Sequence, residues 1–129
     1  MTLQTVSKIV VVTGSRRWAN RIELNEWLSR EQPDILIHGG AAGADALAGR
    51  WANEQGVTCI VVPALWASLG TKAGSIRNVA MLDVAQRLAD SHNASLLVLA
   101  FPAADSIGTR HCMNEALKRG VTVDNKGLS

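Results

Sequence analysis

The sequence predicts an α/β fold: three α/β/α layers around a parallel sheet of about five strands. Two observations carry this. Strand-like and helix-like stretches alternate along the whole chain, which calls for parallel strands with crossover helices. The strand-like stretches are also continuous β-branched runs rather than alternating ones, as expected of strands covered on both faces. With 129 residues, 47% apolar and 19% charged, the chain makes one domain spanning 1–129 with a full core.

Lys8-Ile-Val-Val-Val-Thr13 is the first strand. It ends in Gly14-Ser15-Arg16-Arg17-Trp18. Arg21 to Arg30 follows as a helix with Ile22, Leu24, Trp27 and Leu28, and Pro33 closes the connection. Ile35-Leu36-Ile37 is the second strand, running through His38 into a turn with Gly39, Gly40 and Gly43. Ala44 to Gln55 is the next helix, with Gly56 as its stop. Val57–Val62 is the third strand, ended by Pro63. Residues 64–75 read as irregular. Ile76 to about Asp90 is a helix burying Ile76, Val79, Ala80, Leu82 (or Val84) and Leu88. Ser95–Phe101 is the fourth strand, stopped by Pro102, and 103–107 is a loop. Gly108-Thr109 opens a last helix to Lys118, Gly120 ends it, and Val121–Val123 is a short final strand.

In a parallel sheet the carboxyl ends of the strands share one rim, and ligands bind there where the strand order reverses. Glycine, polar and basic residues fall at those ends after strands one, two and four. Gly39, Gly40, Gly43 and Ala44 would form a phosphate cradle: a bare turn leading into a helix N-terminus presents backbone N–H groups to an anion. An unoccupied tight turn is the plainer reading of the same residues. Gly14, Ser15 and Arg16 would flank the cradle on one side, Gly108 and Thr109 on the other, with Arg77 and Asn78 closing it. Asp45 either complements the helix dipole or accepts from a ribose hydroxyl. His38 is either a structural histidine or a ligand contact. Asn78 would otherwise hold the loop backbone, and Thr109 would otherwise be an ordinary N-cap. Trp18 and Trp66 follow strands one and three, where an indole could stack on a base or close a loop over the core.

Several classes are excluded. No G-x-x-x-x-G-K-[ST], no G-x-G-x-x-G after the first strand, no G-x-S-x-G and no HExxH occurs. Three isolated histidines and two separated cysteines give no metal constellation, and no cofactor is implied. A net charge of +2 makes nucleic acid an improbable partner. No apolar run spans a membrane, and the opening residues lack a leader-type apolar block, so a cytoplasmic protein is expected. Cys59 and Cys112 read as core or helix thiols in a reducing compartment. Trp27 and Trp51 lie on helices and serve either as core or as oligomer contacts; with the apolar side of the third helix they are candidate homo-oligomer contacts.

Val12-Thr-Gly-Ser-Arg-Arg-Trp18, His38-Gly-Gly-Ala-Ala-Gly-Ala-Asp-Ala-Leu-Ala48, Ala73-Gly-Ser-Ile-Arg-Asn78, and Ala100-Phe-Pro102 with Gly108-Thr-Arg-His111 carry a resemblance. Together they resemble the SLOG superfamily of Rossmann-like nucleotide-binding domains, and more closely its small YspA-like branch of bacteria and phages. The resemblance implies a nucleotide or a nucleotide-derived signal, such as an NAD- or ADP-ribose-type molecule, at the rim, sensed or sequestered. It also implies two alternatives: nucleotide N-glycosidase chemistry as in LOG enzymes, or single-stranded DNA binding as in the DNA-processing protein A type. LOG enzymes carry P-G-G-x-G-T-x-x-E. Here Ala103-Ala104 replace the glycine pair, and the position of the catalytic Glu is Cys112. An enzyme would therefore need Asp45 or Glu115 as its carboxylate.

Overall fold

The structure is a computed structural model, and it describes residues 5–104 and 106–127. Residues 1–4 of the opening stretch, residue 105 of the expected loop 103–107, and residues 128–129 lie outside the described residues. The elements follow as β1 (Lys8–Gly14), α1 (Arg21–Glu31), β2 (Ile35–His38), α2 (Ala44–Gln55), β3 (Thr58–Val61) and α3 (Trp66–Leu69). A 3-10 turn (Gly70–Lys72), α4 (Ala73–His92), β4 (Ser95–Phe101), α5 (Ile107–Lys118) and β5 (Thr122–Asn125) complete the chain. The five strands form one sheet in the order β3-β2-β1-β4-β5, and every pairing is parallel. The α/β/α expectation holds.

Alternation of side chains on the strands supplies two cores. Ile9, Val11, Ile37 and Val98 pack under α4 and α5 against Met81, Leu82 and Ala116. Val10, Val12, Leu36 and Phe101 pack on the other face against Leu24 and Leu28 of α1 and Ala48 and Trp51 of α2. This two-sided burial is why β1 reads as an unbroken apolar run. Burying each of these large side chains contributes roughly 1.5–3 kcal/mol. Asn20 caps α1: its Oδ1 accepts from the Glu23 N–H at 3.1 Å, and its Nδ2 donates back to Glu23 Oε2 at 3.2 Å. Gly56 ends α2 in the left-handed region, as its position predicts.

The structure corrects four expectations. The stretch 64–75 contains α3 and the 3-10 turn, and α4 begins at Ala73. The buried side of α4 is Ala73, Asn78, Met81, Leu82, Ala85 and Ala89, whereas Ile76 and Ala80 are exposed. Leu82 is buried as expected, with Val84 and Leu88 packed against the same core, but small residues make up much of the inner face and let α4 approach the sheet closely. Cys59 is exposed because β3 is an edge strand. Of the two readings of Trp51 the structure bears out the core one, with its indole N–H donating to Ser29 Oγ at 3.3 Å, and removes the oligomer contact. Among the described residues, no helix is long and apolar enough to cross a membrane.

Candidate functional site

β1 lies between β2 and β4, and the chain reverses its direction across the sheet on passing from β3 to β4. The reversal opens a crevice at the carboxyl ends of β1 and β4. The Ser15 N–H donates to the Phe101 carbonyl at 2.9 Å, joining the two strand ends. A Cβ on Gly14 would lie 2.5 Å from the Ala44 Cβ and 2.9 Å from the Phe101 oxygen, so this junction requires glycine. Above it lies a cavity of about 320 Å³.

The cavity gathers Gly14, Ser15, Arg16, Asp45, Arg77 and Asn78 with the first turn of α5, including Gly108 and Thr109, and Trp66. These come from four separate regions of the sequence. Arg17 also lines it. The Arg16 guanidinium sits 5.5 Å from the centre of the Trp66 ring, a cation–π arrangement that places the indole on the cavity wall. Thr13 and Ser106 are lining residues that sequence reasoning missed. Both had a signal: Thr13 ends a strand just before Gly14, and Ser106 precedes a helix.

His38, Gly39, Gly40, Gly43 and Ala44 do not line the cavity. Ala41 of the same turn does line it, and four N–H groups of this stretch, those of Gly39, Gly40, Ala41 and Ala44, have intramolecular acceptors. Asp45 Oδ2 accepts from Gly39 N–H at 3.1 Å and Ala41 N–H at 3.2 Å. His38 Nδ1 accepts from Gly40 N–H at 2.9 Å, and the Ser15 carbonyl accepts from Ala44 N–H at 3.1 Å. Gly43, at φ +74°, is glycine because a Cβ there would collide with the Ser15 and Arg16 backbone. Gly39 leaves room for the Arg77 guanidinium, which donates to the Gly39 carbonyl at 2.6 Å. The turn is thus tied to its surroundings by the Asp45 carboxylate, the His38 ring and the Ser15 carbonyl.

The first turn of α5 is different. Ser106 is its N-cap residue, but the Ser106 hydroxyl accepts from Ala103 N–H at 2.8 Å instead of capping the helix. Thr109 is the third helical residue and is not the N-cap. The N–H groups at the start of a helix have no intrahelical acceptor, and here they adjoin the cavity. Asn78 fixes this turn: its Nδ2 donates to the Gly108 carbonyl at 3.1 Å, and its Oδ1 accepts from Arg77 Nε at 2.9 Å. Nδ2 also lies 3.2 Å from His111 Nδ1.

Arg16, Arg17 and Arg77 face a single carboxylate, Asp45, among the described lining residues. Burial pushes the Asp45 carboxyl up to about 6, against the opposing pull of the Ala41 and Gly39 N–H groups and of the Arg77 and Arg16 charges. Burial, with the Arg77 charge, pushes His38 down and keeps it neutral, as an acceptor at Nδ1 requires. Cys112 is buried; desolvation raises its thiol to about 11, against a hydrogen bond with Thr13, so it is protonated at neutral pH. Glu115 does not line the cavity; its Oε1 pairs with Arg119 Nε at 3.3 Å. Trp18 is also outside the cavity. It packs on Phe101 with ring centres 5.2 Å apart, and its indole N–H donates to the Asn20 carbonyl at 3.2 Å. No cluster of three or more metal-ligating side chains occurs among the described residues.

Comparison with known proteins gives two similarities. A family profile described as "YspA, cpYpsA-related SLOG family" matches residues 8–68, from β1 through α3. The "Gene 61 protein" of Mycobacterium phage D29 is 41% identical over 128 residues, covering 92% of this chain and 95% of that protein.

Proposed function

Because the chain belongs to the YspA and cpYpsA-related SLOG family, we propose that it binds a phosphorylated nucleotide or an NAD- or ADP-ribose-derived ligand, as a sensor or a sequestering protein. The family implies a nucleotide-related ligand. The observation that carries the finer reading is the cavity at the β1–β4 crevice, where Arg16 and Arg77 meet the first turn of α5. A phosphate group takes the Ile107, Gly108 and Thr109 N–H groups, because a helix start offers unpaired donors and positive potential together. Arg16 adds a charged donor. Trp66 offers a flat wall for the base. The glycine turn around Gly40 serves as a wall, since its Gly39, Gly40 and Ala41 donors already have acceptors.

The test uses the full chain, purified without dialysis. Heat denaturation followed by mass spectrometry is expected to release a stoichiometric nucleotide, and Arg16→Ala is expected to release far less. A wild-type protein that carries no nucleotide and shows no calorimetric binding of nucleoside phosphates at millimolar concentration overturns the reading.

A second reading has one observation in its favour: Asp45 is a buried carboxylate that lines the cavity. In this reading the protein is a nucleotide N-glycosidase, with Asp45 stabilising positive charge on the sugar or activating water. Release of free base from nucleoside monophosphates, lost in Asp45→Asn, distinguishes it from pure binding. An intact ligand after long incubation rejects it.

A further inference from the structure

A second cleft, of about 790 Å³, lies on the β5 side of the crevice. Trp18, Pro102 and Met113 supply apolar walls, and Glu23, Arg110 and Lys126 supply charge. The Trp18 ring is fixed in place by Phe101 on one side and by its N–H bond to the Asn20 carbonyl. Two of the cations are also pre-positioned. The Arg110 guanidinium donates to the Ala104 carbonyl. Lys126 Nζ lies 2.8 Å from Asp124 Oδ2 and 3.4 Å from the centre of the Trp27 ring.

The two clefts share walls. The β1–α1 connection lends Arg16 to the first and Trp18 to the second; Arg17 lines both. The segment from Pro102 to Arg110 likewise lends Gly108 and Thr109 to the first, and Pro102 and Arg110 to the second. Both clefts are in the size range of small-molecule sites. A mononucleotide in the smaller one leaves the larger one unfilled. We infer that the second cleft takes the second half of a two-part nucleotide, whose two halves are joined by a pyrophosphate passing Arg17. This deepens the proposed nucleotide reading and rests on it. The distal half is a flat ring or a second ribose: the ring lies against Trp18 and Met113, and hydroxyl or amino groups reach Glu23.

Calorimetry on the full chain with AMP and with ADP-ribose tests the inference. ADP-ribose is expected to bind at least tenfold more tightly than AMP. Met113→Trp, which fills the second cleft from its helical wall, is expected to weaken ADP-ribose at least tenfold and leave AMP unchanged. Lys126→Gln, a milder change, is expected to weaken ADP-ribose at least threefold with the same lack of effect on AMP. Equal affinities for both ligands, unmoved by either substitution, would overturn the inference and leave the nucleotide reading standing. Failure of both ligands to bind the wild type overturns the two together. A ten-residue oligothymidylate that binds more tightly than ADP-ribose, and is weakened by both substitutions, overturns it in favour of a strand-binding groove.

Discussion

Replacing Asp45 by asparagine should make the protein more stable at neutral pH. The carboxylate is 5% exposed, and burial raises its pKa from 3.8 to about 6. An acid with a raised folded-state pKa contributes its full stability below about 3.8, and that contribution is lost as pH rises through about 6. The gap between these values corresponds to roughly 3 kcal/mol, at about 1.4 kcal/mol per tenfold change in proton affinity. The asparagine oxygen can accept the same Gly39 and Ala41 N–H groups without bringing a charge into the interior. Asp45→Asn should therefore exceed the wild type by roughly 3 kcal/mol at pH 8, and by under about 1 kcal/mol at pH 4. Urea unfolding followed by tryptophan fluorescence reads this directly. With a slope near 2 kcal/mol per molar, the midpoint at pH 8 should rise by roughly 1–2 M. An Asp45→Asn protein that is less stable than the wild type at pH 8, or a gap that does not change with pH, would refute the reasoning. A charge kept at such a cost points to a role in the cavity beyond folding.

Other predictions follow from the same contacts. Gly43→Ala places a Cβ on the Ser15 carbonyl at positive φ and should cost over about 2 kcal/mol, whereas Gly108→Ala meets nothing within 4 Å and should be neutral or stabilising by up to about 1 kcal/mol; thermal melts compare them. Arg77→Ala removes the donors to Gly39 and Asn78 and should cost roughly 2–3 kcal/mol. It should also move the Asp45-dependent fall in stability to higher pH, seen by repeating the urea series, because the Arg77 charge lowers the Asp45 pKa. With a chromogenic disulfide reagent at pH 8, the exposed Cys59 should react in the native protein and the buried Cys112 only after denaturation; rapid modification of both would contradict the protonated, buried state assigned to Cys112.

The order of elements was readable because each carries a local signature. The bounds of α2 lie between Gly43 and Gly56, both at positive φ. The meeting of Arg16, Asp45, Arg77 and Gly108 at one rim was also readable, since parallel strands align their ends. What lay hidden depends on side chains folding back over the backbone. Nothing local tells that the Asp45 carboxylate and the His38 ring take the Gly39, Gly40 and Ala41 N–H groups of the glycine turn. The Asn78 amide reaches Gly108, 30 residues away, through tertiary packing alone. The face of α4 was legible only in part: Leu82, Val84 and Leu88 pack in or against the core, but Ala73, Ala85 and Ala89, which carry little hydrophobic signal, share the contact unannounced. Glu115 had a visible partner, Arg119, at helical spacing.

The longest strands, β1 and β4, pair along their whole length from Lys8↔Ser95 to Gly14↔Phe101, while the Trp66 wall hangs from the short edge strand β3. Local opening is easiest where few buried contacts hold a segment. Amide hydrogens of β1 should therefore exchange near the global unfolding limit, and those of α3 far sooner. The cavity has a floor that binding cannot stiffen further and a wall that it can. The ordering entropy of a ligand would fall almost wholly on the tryptophan side, which makes that wall the part of the site through which occupancy can be reported to the surface.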